Sequence, residues 1–272
     1  MRLRVKVLRV PALVAASLIC AASARAEPFS AEYQIYFGGL HVLNAEATWQ
    51  RDAGSYLIEG TAETQGFLNW LHPWKGNTAS RGRLEAGTIL PQLHENWSSA
   101  DEGERLSRLT YDAEGRLVDS LVEPAQDWDE RHPLPSDPGR GTIDPLSVLS
   151  GLSLVLQEKG RCEGEFSVFD GRKRYDLVVS DAGTTELEQT SYSIYAGPAR
   201  GCQVDYKMLG GHRIARNKYA ETSRRRIVWV AQPSESAPLV PVRLEIETAF
   251  GNVMGHLTGF SELPPAEAKL TN

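Results

Sequence analysis

Long hydrophobic runs, cysteines, metal-binding spacings and positive charge are all scarce in this chain, and each scarcity removes a class of explanation. The longest apolar run, Val10 to Ala22, has 13 residues, whereas a helix crossing a bilayer core needs about 20. No other stretch approaches that length. The six histidines, His41, His72, His94, His132, His212 and His256, are scattered. None falls in an H-x-H, H-E-x-x-H or Cys/His spacing, so no metal site is expected. A Gly-rich phosphate loop and a dinucleotide fingerprint are also missing, so no cofactor is expected. Basic residues number 29 against 35 acidic ones, a balance with no bulk attraction to nucleic acid.

What basic charge exists is concentrated at the start. Arg2, Arg4, Lys6 and Arg9 precede the apolar run, and Ala24-Arg25-Ala26 follows it. Basic segment, short apolar core and A-x-A form the pattern of a secretory signal peptide. No paired arginine precedes the run, and Cys20 follows a bulky Ile19, so twin-arginine and lipoprotein export are not indicated. Cleavage is expected after Ala26, leaving a periplasmic protein with no integral membrane segment. Losing Arg2, Arg4, Lys6, Arg9 and Arg25 would leave 24 basic against 35 acidic residues, a net charge of −11.

Only Cys162 and Cys202 then remain, and two thiols allow one pairing. In an oxidising compartment they are expected to form a disulfide, stabilising by about 4 kcal/mol in the chain-entropy model. The alternative is a pair of buried free thiols.

Short alternating runs broken by turn residues predict antiparallel strands rather than βαβ units. Ala31, Tyr33, Ile35 and Phe37 alternate with polar neighbours up to Gly38-Gly39. Further strands are expected over 41–50, 55–65, 105–111, 116–122, 226–231, 242–248 and 253–260. Asp170-Gly171 between residues 165–169 and 172–179 suggests a two-residue type I′ hairpin. One helix stands out, with Asp144 as cap, Pro145 in its first turn, Leu146, Leu149, Leu152, Val155 and Leu156 as apolar stripe, and Gly160 as stop. The fold class expected is mainly β: a curved antiparallel sheet or partly open barrel with one packed α-helix. Residues 27–262 are expected to form one domain, with 263–272 a disordered tail and Pro124 to Thr142 a surface loop.

Candidate chemistry is sparse. Phe67, Trp70 and Trp74 sit in the most concentrated apolar-aromatic segment. They read either as a lip for an apolar or glycan ligand or as a turn plugging the end of the sheet. Gly151-Leu152-Ser153 begins like a nucleophile elbow but lacks the final glycine and lies within the expected helix. Asp127-Trp128-Asp129-Glu130-Arg131-His132 places carboxylates beside an aromatic, as glycosidases do, although adjacent charges in a Pro-rich loop are ordinarily solvated. The stretch from His212 to Arg226, with Arg213, Arg216, Lys218, Arg224 and Arg225, reads either as an anion-binding surface or as a solvated loop.

Four segments in order carry a resemblance: Tyr33 to Gly39, Asp144-Pro145-Leu146-Ser147, Val168-Phe169-Asp170-Gly171-Arg172-Lys173-Arg174-Tyr175, and Val240-Pro241-Val242-Arg243 through Phe250-Gly251. Together they resemble the exported bacterial family known as domain of unknown function 3108. The resemblance implies a β-rich envelope domain without assigned activity, and it supplies no catalytic residues. The reading that follows is a non-enzymatic protein that binds or shields an apolar or glycan-bearing envelope component. The alternative is a glycan-directed hydrolase using the acidic residues of the 127–132 loop.

Overall fold

The computed structural model describes residues 28–52, 54–214, 224–235 and 237–263. The expected leader lies outside these residues, as do Arg216, Lys218 and the tail from residue 264. The chain first lays down seven strands: β1 (Phe29–Phe37), β2 (Leu40–Asp52), β3 (Ser55–Thr64), β4 (Trp74–Glu85), β5 (Thr88–Ala100), β6 (Gly103–Tyr111) and β7 (Leu117–Glu123). A short helix, α1 (Gly66–Leu71), joins β3 to β4. After a long connection come helix α2 (Ser147–Lys159) and six strands: β8 (Gly164–Phe169), β9 (Arg174–Leu187), β10 (Gly197–Gly210), β11 (Arg226–Ala231), β12 (Val240–Thr248) and β13 (Gly251–Glu262).

All thirteen strands form one antiparallel sheet in the order β7-β6-β5-β4-β3-β2-β1-β13-β12-β11-β10-β9-β8. The first and last strands pair at its middle, Phe37 opposite Val253. The edges are therefore β7 and β8, which are neighbours in sequence. The expected curved sheet with one packed helix is what forms, with the six-residue α1 in addition. The strand β12 illustrates why. Val242 is buried while Arg243 and Glu245, on the other face, form an ion pair at 3.0 Å.

The sheet does not close into a barrel, yet its two edges are brought together by side chains. Phe169 at the end of β8 packs with Leu109 and Tyr111 of β6, and Leu117 and Leu134 complete that cluster. Arg172, in the β8–β9 turn, donates to the carbonyl oxygens of Glu123 at 2.8 Å and Pro124 at 3.2 Å. It also reaches Gln126 Oε1 at 3.2 Å. The segment after β7 runs along this seam, where Ile143 bridges β8 by accepting from Phe169 N–H and donating to Ser167.

Two sequence expectations change. The β8–β9 turn has four residues, Asp170 to Lys173, with Phe169 opposite Arg174. Asp170 Oδ1 accepts from the N–H groups of Arg172 and Lys173, so the aspartate side chain organises the turn and the two-residue type I′ geometry is not used. The strands β4, β5 and β10 were not expected. On β4 the buried positions are Gly76, Ser80 and Gly82, without any large apolar residue. A Cβ at Gly82 would lie 2.7 Å from the Tyr56 hydroxyl. The bare backbone there makes room for an aromatic from the next strand.

Helix α2 fills the concave side. It buries Val148, Gly151, Leu152 and Leu156. A Cβ at Gly151 would come within 2.5 Å of the Phe166 ring and 2.9 Å of Ile89, so glycine sets how closely the helix approaches β5 and β8. Gly160 closes the helix in a left-handed conformation, its N–H donating to Leu156 at 2.9 Å.

Just beyond it, Cys162 is joined to Cys202 of β10 by a disulfide with the Cα atoms 5.3 Å apart. Both cysteines are fully buried among Leu152, Leu156, Val179 and Val230. The bridge ties the end of α2 to the sheet across a separation of 40 residues. Replacing Cys202 by Ala is expected to reduce the unfolding free energy by about 2–4 kcal/mol. Urea denaturation of the oxidised protein with and without the substitution measures this. Added reductant should weaken the wild type and leave the variant unchanged.

Candidate functional site: an apolar cavity beside a buried polar cluster

Between α2 and the concave face lies a cavity of about 260 Å³. One side is the helix, through Leu149, Leu152, Ser153 and Leu156. The opposite wall is made by Val179, Val204, Val228 and Val230 on β9, β10 and β11. Trp49 and Ile58 close it from β2 and β3, and Pro238 and Leu239 reach in from the β11–β12 loop. Polar groups are few, with Gln50 and Arg51 beside the β2–β3 turn. The composition follows from strand alternation. Inward positions of β9 to β11 carry β-branched residues that do not fill the space left by a helix held close to β5 and β8.

At the N-terminal end of α2, behind Tyr56 of the cavity wall, lies a buried polar cluster. Asp144 is fully buried and acts as acceptor throughout. Its Oδ1 accepts from Leu146 N–H and Ser147 N–H at 3.0 Å each and from the Ser80 hydroxyl at 2.5 Å. Its Oδ2 accepts from the Ser147 hydroxyl at 2.5 Å. Because both hydroxyls donate to Asp144, each must accept elsewhere. Ser147 Oγ then accepts from the Tyr56 hydroxyl at 2.5 Å, and Ser80 Oγ accepts from His94 Nδ1–H at 2.7 Å. Asp144 therefore caps α2, as its position before Pro145 predicted, and also ties the helix to β3, β4 and β5.

The electrostatics follow from burial. Desolvation pushes the His94 pKa down, against the opposing pull of Asp144. The hydroxyls of Tyr56 and Tyr111 are both pushed up, first by burial and then by the nearby Asp144. The Tyr111 hydroxyl is buried with no hydrogen-bond partner among the described residues.

Serine, histidine and aspartate in contact invite comparison with a nucleophilic triad, but the order is wrong for one. In a triad the imidazole stands between hydroxyl and carboxylate, taking the proton of the first and being oriented by the second. Here Ser80 stands between His94 and Asp144 and gives its proton to the carboxylate. Ser80, His94 and Asp144 are each at most 2% exposed. The cluster positions the helix that walls the cavity.

The residues singled out from sequence fall elsewhere. Phe67 and Trp70 lie on α1, 65% and 77% exposed, with ring centroids 5.7 Å apart. None of the α1 residues is buried, so they do not plug the sheet. Trp74 opens β4, its ring lying over Gly76. The three aromatics sit at the end of the sheet opposite the β2–β3 turn and do not line the cavity. Asp127, Asp129 and Glu130 are exposed, and Asp127 Oδ1 accepts from the N–H of Asp129. The loop that carries them is anchored to the start of the basic stretch, His132 N–H donating to His212 and Ile214 N–H to Glu130. The described part of the basic stretch, including Arg213, Arg224 and Arg225, forms no part of the cavity. Among the described residues no group of three or more His, Cys, Asp or Glu side chains is arranged to hold a metal ion. No helix among them is long and apolar enough to cross a membrane.

Comparison with known proteins places the chain in a family. The model of the family described as "Protein of unknown function (DUF3108)" matches residues 32–258. The chain belongs to the DUF3108 family. No curated protein matches it. Among solved structures, a β-barrel-like protein of domain of unknown function DUF1849 from Brucella abortus matches at 10% identity and a TM-score of 0.47. That match covers 88% of this chain and 99% of the other. A DUF1089 family protein from Pseudomonas aeruginosa matches at 10% identity and a TM-score of 0.31, over 72% of this chain and 87% of the other.

For this DUF3108 protein the polar cluster makes two predictions. Asp144→Ala would leave two buried hydroxyls and two helix N–H groups without their acceptor, at a cost of about 3 kcal/mol or more; equilibrium unfolding in urea measures it. The second concerns pH. The unfolded chain protonates His94 near its ordinary value of 6.5, whereas the fold resists that proton. His212 and His256 are lowered in the same direction, chiefly by burial. Stability is thus fully present above pH 6.5 and is lost as pH falls below it. The thermal midpoint should drop between pH 7.5 and 5, and His94→Asn should flatten part of that slope.

Proposed function

We propose that this protein is a non-enzymatic carrier or shield of an apolar chain, working in the cell envelope after export. The chain would lie in the cavity between α2 and the concave sheet face. The cavity is the observation that carries this reading: about 260 Å³ of space with valine and leucine walls. For scale, an engineered apolar cavity of about 150 Å³ stays dry and takes up benzene. Binding pockets for whole drug-sized molecules start at about 300 Å³. The volume therefore suits one hydrocarbon chain better than a complete lipid. Arg51 at the cavity margin gives an anionic head group a counter-charge.

The N-terminal basic–apolar–AxA pattern supports export, and the Cys162–Cys202 disulfide is compatible with an oxidising compartment. The glycan-hydrolase alternative has less to stand on, since the acidic residues of its loop are exposed, whereas catalytic carboxylates work as a pair flanking a bound sugar.

Native mass spectrometry after incubation with a long-chain fatty acid should show one bound molecule per chain. Leu149→Trp, which fills the cavity from the helix, should abolish the adduct while circular dichroism stays unchanged. Arg51→Gln should weaken binding several-fold. An undiminished adduct on Leu149→Trp would count against this site.

A further inference from the structure

The sheet register assembles a second feature at the far end from the cavity margin. Strands β4, β3, β2, β1, β13 and β12 are consecutive neighbours, and three of their connections emerge on the same rim. These are the β1–β2 turn, the α1 connection from β3 to β4, and the β12–β13 turn. They are stitched together by backbone hydrogen bonds, Gly38 N–H to Asn252 at 3.0 Å and Gln65 N–H to Val42 at 2.9 Å. Six adjacent strands span about 24 Å.

Along that rim Leu40, Phe67, Trp70, Leu71 and Phe250 are all exposed, Phe250 to 79%. Phe37 stands beside Gly251 in the same row. Scattered single apolar residues on a surface need no explanation, but a contiguous set does.

Charge narrows the partner. Residues 37–41, 65–74 and 248–252 contain no Asp, Glu, Lys or Arg, in a chain where 24% of residues are charged. The next turn along the same end, between β5 and β6, carries Asp101 and Glu102. A partner protein held by polar rim contacts would be expected to call for some charge among these tips. On the other flank Arg224 and Arg225 lead into β11 beside Glu247, so charges of opposite sign bracket the rim and give it no net preference for anionic lipid. An uncharged interface that accepts Trp, Phe and Leu side chains on protruding turns is the head-group region of a zwitterionic bilayer. We propose that this rim is a membrane-docking surface that inserts its aromatic and leucine side chains into a zwitterionic lipid interface. It uses Phe67 and Trp70, together with Leu40 and Phe250, and is independent of whether the cavity holds a ligand.

The test is flotation of the full chain, expressed with its own N-terminus and purified after any processing. The vesicles are phosphatidylcholine–phosphatidylethanolamine, with and without phosphatidylglycerol. The wild type should float with the neutral vesicles, insensitively to salt, and phosphatidylglycerol should not improve it. The triple variant Leu40→Ser, Phe67→Ser, Trp70→Ser, altered only at exposed positions, should lose at least about tenfold in partitioning with unchanged circular dichroism and unchanged fatty-acid uptake. Equal partitioning of variant and wild type would overturn the proposal. So would binding that requires phosphatidylglycerol and vanishes in salt. A concentration-dependent dimer in sedimentation, abolished by the triple variant and accompanied by no flotation, would overturn it in favour of a second copy of this chain.

Discussion

Everything in this molecule depends on filling the inside of a sheet that does not close. A sheet of thirteen strands that curls without joining its edges leaves an interior that water must not occupy and that sheet side chains alone do not fill. Helix α2 is the answer, and it stays in place because Asp144 is satisfied four times over. Two of those bonds come from the helix backbone and one from a strand serine, so the same carboxylate both caps the helix and docks it. At the other end the Cys162–Cys202 bridge does the docking covalently. The cavity is what remains between a helix held close to β5 and β8 at Gly151 and tied to β10 at its far end, and the valine side chains of β9 to β11.

The architecture was legible in the sequence where alternation was strong. β1, β3 and β12 show it plainly, as did the α2 stripe with Asp144 before it and Gly160 after it. Reading failed where the inward side chain is small. On β4 the core positions are glycine and serine because Tyr56 and the Ser80–Asp144 contact occupy the space, so no hydrophobic period marks the strand. It failed also at the β8–β9 turn, where the Asp170 side chain satisfies two backbone N–H groups and sets a longer loop than Asp-Gly alone suggests.

The candidate site was less legible for a related reason. Ser80, His94, Tyr56 and Asp144 lie on separate elements, and Ser80 and Asp144 are 64 positions apart in the chain. Nothing local announces that they meet. The cavity is likewise defined by what inward residues leave unfilled, a property of several strands at once. By contrast the aromatic segment around Phe67 and Trp70 was conspicuous in sequence. Local concentration revealed its composition but not its burial, since clustering in sequence says nothing about which side of the molecule a turn faces.

The seam between the two sheet edges has a consequence of its own. Elsewhere the perimeter is held by continuous ladders, and parting any two strands would strip many amide pairs at once. At the seam the joint is the guanidinium groups of Arg172 and Arg131 reaching across to main-chain oxygens, a small knot of leucine and aromatic rings, and two short bridges, at Ile143 and at Arg131–Arg213. Mechanically this is the weakest line on the girth of the molecule. Any widening large enough to pass a bulky guest sideways would unzip there first, leaving the ladders on either flank intact.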